Sequence, residues 1–146
     1  MSTRKLILAA LFCGRAILLA GGIQLVLLAR SKTTATVLDE GAVATVGDAR
    51  ATVVAGIVSD NEVVVTVRLT AGSPISDAGV GWALNANGLQ PRREVGATEA
   101  VPPCDGQSVA AGATLTCLVA FAQGDGTRYV SYSRGGHQAE WQLAPT

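Results

Sequence analysis

The sequence holds one histidine, one methionine and two lysines, and none of its three cysteines lies in a CxxC pair. Each scarcity excludes something. A Ser-His-Asp site would depend on His137 alone, and no nucleophile-elbow sequence is present to partner it. His137 closes Arg134-Gly135-Gly136-His137, which reads as an exposed turn. A zinc site lacks both the histidines and the cysteine spacing it needs. Asp39, Glu40, Asp48, Asp60, Glu62, Asp105 and Asp125 offer oxygen ligands, but none fits the EF-hand spacing. Asp and Asn before Gly are what turns demand in any case. The chain therefore reads as a non-enzyme with no cofactor and no metal.

Positive charge is scarce beyond residue 32. Residues 33–146 hold six basic groups against eleven acids, a net of −5. That balance argues against nucleic acid as a partner and against adhesion to anionic lipid. The low lysine content, with abundant Ala, Gly and Val, is associated with GC-rich bacterial genomes such as those of actinobacteria.

One feature is present in excess. Leu6–Ala29 is an apolar run of 24 residues with one charge, Arg15, in its middle. At about 1.5 Å per residue it is roughly 36 Å long as a helix, enough to cross a hydrocarbon core of about 30 Å. Its Leu, Ile, Val and Phe residues favour insertion by about 4–8 kcal/mol, against roughly 3 kcal/mol for one central Arg. The run should insert. Cleavage as a signal peptide is the main alternative: Arg4 and Lys5 form a basic start. The far flank opposes it, because Leu27-Leu28-Ala29 is a poor cleavage site and Arg30 and Lys32 follow. Lipidation of Cys13 is opposed by Phe12 before it and by the run continuing past it. A buried helix of a soluble domain is opposed by an apolar surface on every side. Flanking charges are balanced, so orientation rests on Arg15 snorkelling toward the N-terminal side and on a disulfide downstream. The expected layout is a cytoplasmic stub at 1–5, an uncleaved transmembrane helix at 6–29, a linker at 30–36 and an extracytoplasmic domain at 37–146.

An intramembrane charge usually faces protein or water, and small residues let helices approach closely. Arg15, Gly21 and Gly22 are therefore candidate contacts to another membrane subunit. The bland reading is a snorkelling arginine and tolerated glycines.

Beyond the linker the hydrophobic period is two. Ala42–Val46, Ala51–Val58 and Glu62–Thr70 read as strands, the last with Val63, Val65, Val67 and Leu69 on one face. Val80, Trp82 and Leu84 alternate in a fourth. Gly88–Val95, with Pro91, reads as an edge strand or loop, and Arg92-Arg93-Glu94 as charges that keep that edge from pairing. Thr114–Phe121 is a strong strand that turns Cys117 inward. Arg128–Ser133 and Gln138–Leu143 complete seven or eight strands, and the regular turns predict a two-sheet antiparallel sandwich. Cys104 and Cys117 form an even pair in such a domain and read as a disulfide pinning the Pro102-Pro103 loop to the core; two buried thiols are the alternative. Trp82 reads as core. Tyr132 and Trp141 are assigned to a candidate partner patch on the surface, with core filling as the other possibility.

The order Val63–Thr70, Gly72-Ser73-Pro74-Ile75, Gly81–Leu84, Asn87-Gly88, Ala111-Gly112-Ala113-Thr114 and Leu118–Phe121 resembles the DUF4352-type exported immunoglobulin-like domains of Gram-positive bacteria, with their MPT63-like fold. The resemblance covers roughly residues 50–143. Ala71 stands where the family often has Asn, and Ala111 where it often has Pro. The resemblance implies an immunoglobulin-like fold and an exported, anchored location, and it implies no reaction.

The expected protein is thus an all-β immunoglobulin-like sandwich behind one transmembrane helix. It sits single-pass in the cell membrane with its C-terminal domain outside. Its partners are the lipid bilayer and other membrane-protein subunits, and its role is binding or assembly. The alternative is a soluble binding protein secreted after cleavage.

Overall fold

The computed structural model describes residues 2–30, 36–96 and 100–145. The expected linker at 30–36 lies almost wholly outside them. The chain divides into two units, one up to residue 35 and one from Thr36 onward.

The first unit is a single helix, α1, Thr3–Arg30. Its 28 residues extend about 42 Å. The first turn opens with the Lys5 amide donating to the Ser2 carbonyl at 3.0 Å. Side chains up to Leu25 are exposed on all sides, so the apolar surface covers no core of its own. Helical geometry also divides the three candidate contact residues. Gly22 lies seven positions after Arg15 and within roughly 20° of its line, whereas Gly21 is turned about 120° away. Leu8, Leu11, Phe12 and Leu19 flank Arg15. Ala9, Cys13, Ala16 and Ala20 follow one another at three- and four-residue steps along the helix.

The second unit is built of ten strands: β1 Val37–Asp39, β2 Val43–Val46, β3 Ala49–Val58, β4 Glu62–Thr70, β5 Trp82–Asn85, β6 Leu89–Gln90, β7 Arg92–Arg93, β8 Thr114–Ala122, β9 Tyr129–Arg134 and β10 His137–Gln142. They form two sheets of five, ordered β1-β10-β9-β5-β6 and β2-β3-β4-β8-β7. All pairs are antiparallel except β1 with β10, which is parallel.

The alternation in β4 does what its sequence predicts. Val63, Val65, Val67 and Leu69 are fully buried. They pair with Phe121, Val119, Cys117 and Leu115 of β8, so the same parity runs through both central strands. β3 changes parity part-way. Its register shifts between Val53 and Ala55, a bulge that places Ala51 and Val53 inward before it and Ile57 outward after it.

Three strand readings are corrected. β5 begins at Trp82, not Val80, and Val80 is exposed in a turn. Gly81 ends that turn at φ +97°, where a Cβ would stand 2.5 Å from the Ser133 carbonyl oxygen. Any side chain there is strained and crowded, so the strand cannot be extended backward through an ordinary residue. Gly88–Val95 is not one edge but two: β6 belongs to one sheet and β7 to the other, and Pro91 is the crossing point between them. β1 was hidden in sequence because three residues carry no period.

The surface patch of Tyr132 and Trp141 is also corrected: they are 2% and 0% exposed. Tyr132 lies opposite Trp82 across the β5–β9 pair, with ring centroids 4.5 Å apart. Trp141 stands 6.1 Å from Trp82 and donates its indole N–H to the Ala42 carbonyl at 2.9 Å. These three rings fill the space between the sheets. Their parity along β5, β9 and β10 turns all three inward together.

Candidate functional site

Loops in the β domain are fixed by two polar clusters and one disulfide. Cys104 and Cys117 are joined, with Cα atoms 4.9 Å apart and both residues fully buried. Cys117 is on β8, and the loop carrying Cys104 lies along the same strand. The Cys104 amide donates to the Leu118 carbonyl at 2.8 Å, and the Leu118 amide donates to the Pro102 carbonyl at 2.9 Å. The proline-rich loop thus lies along the same edge of β8 as β7 does.

Beside the disulfide lies the first cluster. The Asp77 carboxylate accepts from the amides of Gly79 at 2.9 Å and Gly106 at 3.0 Å. Arg92 on β7 donates to the Gly79 carbonyl at 2.8 Å and pairs with Asp105. Its guanidinium lies 5.3 Å from the Phe121 ring centroid. Arg92 is therefore engaged within the domain, while Arg93 beside it is exposed. An ion pair this exposed is worth at most about 1 kcal/mol, so its effect is to set loop geometry more than stability.

The second cluster joins the β2–β3 turn, the loop after β4 and the end of β9. Asp48 accepts from Arg134 at 2.7 Å and from the Ser73 hydroxyl, and Arg134 also donates to Ser73 at 3.2 Å. The hydrogen bond from Arg134, with that from Ser73, lowers the Asp48 carboxyl to a pKa of about 2. A lowered folded-state pKa means this contribution is complete above the unfolded value near 4 and is lost as pH falls through 2. The variant D48N should melt below the wild type at pH 6, and the gap should close as pH approaches 2; melting curves across that range test it.

The remaining sequence candidates are dispersed. His137 is exposed at the start of β10. No group of three His, Cys, Asp or Glu residues is arranged to hold a metal among the described residues. Two clefts of 310 and 350 Å³ flank the Gln142–Pro145 tail; Arg128 lines the first, and Asp39 and Glu40 the second. Neither brings a nucleophile to a base. What the domain offers is surface: strand edges, two outer sheet faces and the loops between them. Asp48 and Arg134 were missed in sequence as a pair because 86 positions separate them.

Comparison with known proteins supports this geometry at the level of fold. The YjhA protein of Bacillus subtilis superposes with a TM-score of 0.61 at 11% identity, over 73% of this chain and 99% of YjhA. YcdA of Bacillus subtilis strain 168, a presumed lipoprotein, superposes with a TM-score of 0.53 at 11% identity, over 69% of this chain and 38% of YcdA. No family model matches the sequence, and no curated protein does. The two-sheet β architecture is shared; at this identity the likeness is one of fold alone.

Proposed function

We propose that the chain is a single-pass, signal-anchored protein that presents an immunoglobulin-like domain outside the membrane for binding or assembly. The observation that carries this reading is the sequence of an apolar helix of 28 residues followed by a disulfide-bonded β domain. Disulfides persist in oxidising compartments, and the helix is long enough to hold the domain at the edge of one.

Strand order supports the immunoglobulin-like assignment. β3-β4-β8-β7 corresponds in chain order and adjacency to strands A-B-E-D of that fold, and β10-β9-β5 to G-F-C. Trp82 then stands on the C-equivalent strand, where the fold keeps its buried tryptophan. The DUF4352-type resemblance agrees with this order. One departure is plain: the disulfide runs from the loop before β8 to β8, not between the B and F equivalents. An exported location is also in keeping with the fold shared with YcdA, a presumed lipoprotein.

The test is N-terminal sequencing of the protein recovered from the membrane fraction. The anchored reading expects the sequence to begin at Met1 or Ser2. A start beyond residue 29, with the protein in the soluble fraction, would instead make it a secreted binding protein.

A further inference from the structure

Charge in the β domain is sorted by sheet. Residues 33–146 carry a net of −5, yet that charge is not spread evenly. Outward positions of β1 and β10 hold Asp39 and Glu140 and, among the described residues, no cation. The other sheet is the reverse. β3 and β4 turn Arg50 and Arg68 outward, and Glu62 is the one acid among the described outward positions of β3, β4 and β8. Glu62 begins β4, about 20 Å along the strand from Arg68.

Strand register sets the two arginines in one lattice. Arg50, Thr70 and Thr114 lie directly across three strands, and Thr52, Arg68 and Thr116 form the next row. The arginines are diagonal neighbours, about 7–8 Å apart at the backbone. Both are exposed, and neither pairs with a carboxylate among the described residues. Asp48, two positions before Arg50, is engaged by Arg134 and Ser73. Like charges this close repel, and an anion laid between them removes the repulsion. Hydroxyls stand beside them. Thr70 and Thr114 share one hydrogen bond at 2.9 Å, which leaves one of their two protons free to be donated outward. Arg68 Nε donates to Thr116 Oγ1 at 3.4 Å, a bond that uses one of the five guanidinium donors.

We propose that the outer face of β3, β4 and β8 binds a linear polyanion, with Arg50 and Arg68 on neighbouring anionic groups and the threonine hydroxyls beside them. Charge complementarity selects this occupant: the face is cationic within an acidic domain. A flat sheet face does not enclose a small ligand, whereas an extended chain meets both arginines at once. No aromatic side chain stands at the described outward positions of these strands for bases to stack on, so the polymer is selected by charge and not by base. Asp39 and Glu140 repel the same polymer from the opposite sheet, which makes docking one-sided. Two cations make a weak single contact, and many copies along one polymer add by avidity.

This ligand class fills in the binding role proposed above and rests on that reading. The N-terminal sequence decides the anchored placement and polymer binding is measured separately, so either can fail alone.

Co-sedimentation of long-chain inorganic polyphosphate with the full chain, reconstituted in phosphatidylcholine vesicles, tests it. The wild type should bind at about 50 mM salt and lose about tenfold in affinity by about 200 mM, the dependence expected when two cations displace counterions. Arg50→Gln combined with Arg68→Gln should weaken binding at least about tenfold at the lower salt. Both side chains are exposed, so the melting temperature should not move. Arg30→Gln combined with Lys32→Gln, which removes the cations beside the helix, should leave binding within about twofold of the wild type. No binding at the lower salt, binding that survives the Arg50 and Arg68 substitutions, or attachment through those two arginines to phosphatidylglycerol vesicles or to a second copy in place of the polymer, would overturn the inference.

Discussion

Converting both Cys104 and Cys117 to alanine should destabilise the β domain by about 3 kcal/mol, the chain-entropy value for a loop of roughly 14 residues. The residues are 13 positions apart, and both side chains are fully buried. Loss of the bond leaves the Pro102–Cys104 segment joined to β8 by two main-chain hydrogen bonds at Leu118. Amide exchange at Leu118 and Cys104 should therefore rise well before exchange in β3 or β4 does. Arg92 would lose its geometry as well, since its partner Asp105 follows Cys104 directly. Urea unfolding followed by tryptophan fluorescence measures the stability change. A midpoint unchanged on reduction would mean that the loop is held by its polar contacts alone.

The second large effect is expected from Trp141→Ala. The side chain is fully buried, packs near Trp82 and satisfies its indole N–H on the Ala42 carbonyl. Truncation leaves a cavity between the sheets and an acceptor without its donor, at a cost of about 3–5 kcal/mol. For a domain of this size that is a large share of total stability. The variant should be recovered poorly or unfold at much lower urea. Were Trp141 a surface contact, the same substitution would spare folding and remove only binding, so the urea midpoint separates the two roles. Tyr132→Phe, by contrast, keeps the ring against Trp82 and should fold normally.

Legibility followed the physics of each element. Glu62–Thr70 could be read because a strand buried on one face shows its alternation over nine residues. Thr114–Ala122 was legible for the same reason, and its parity placed Cys117 toward the interior. Val37–Asp39 and Leu89–Gln90 were not, because two or three residues have no period and pair only through neighbours distant in sequence. The aromatic residues failed differently. Tyr132 and Trp141 stand among polar neighbours such as Ser131, Ser133, Glu140 and Gln142, and which side of those strands is inward depends on pairing with β5 and β9. A residue pattern gives two faces; only the sheet order says which faces the core. The bulge in β3 is likewise a tertiary fact, and it turns Ile57 outward. In α1 the length and apolarity were plain from the sequence.

The central claim is that the helix anchors the β domain on the outer side of the membrane. Protease added to intact cells tests it most directly, with one epitope at the N-terminus and another in the exposed Gly135-Gly136 turn of the β domain. The account predicts loss of the β-domain epitope and survival of the N-terminal one, which is lost in turn only after the cells are opened. Protection of the β-domain epitope in intact cells, with Cys104 and Cys117 recovered as free thiols, would contradict it.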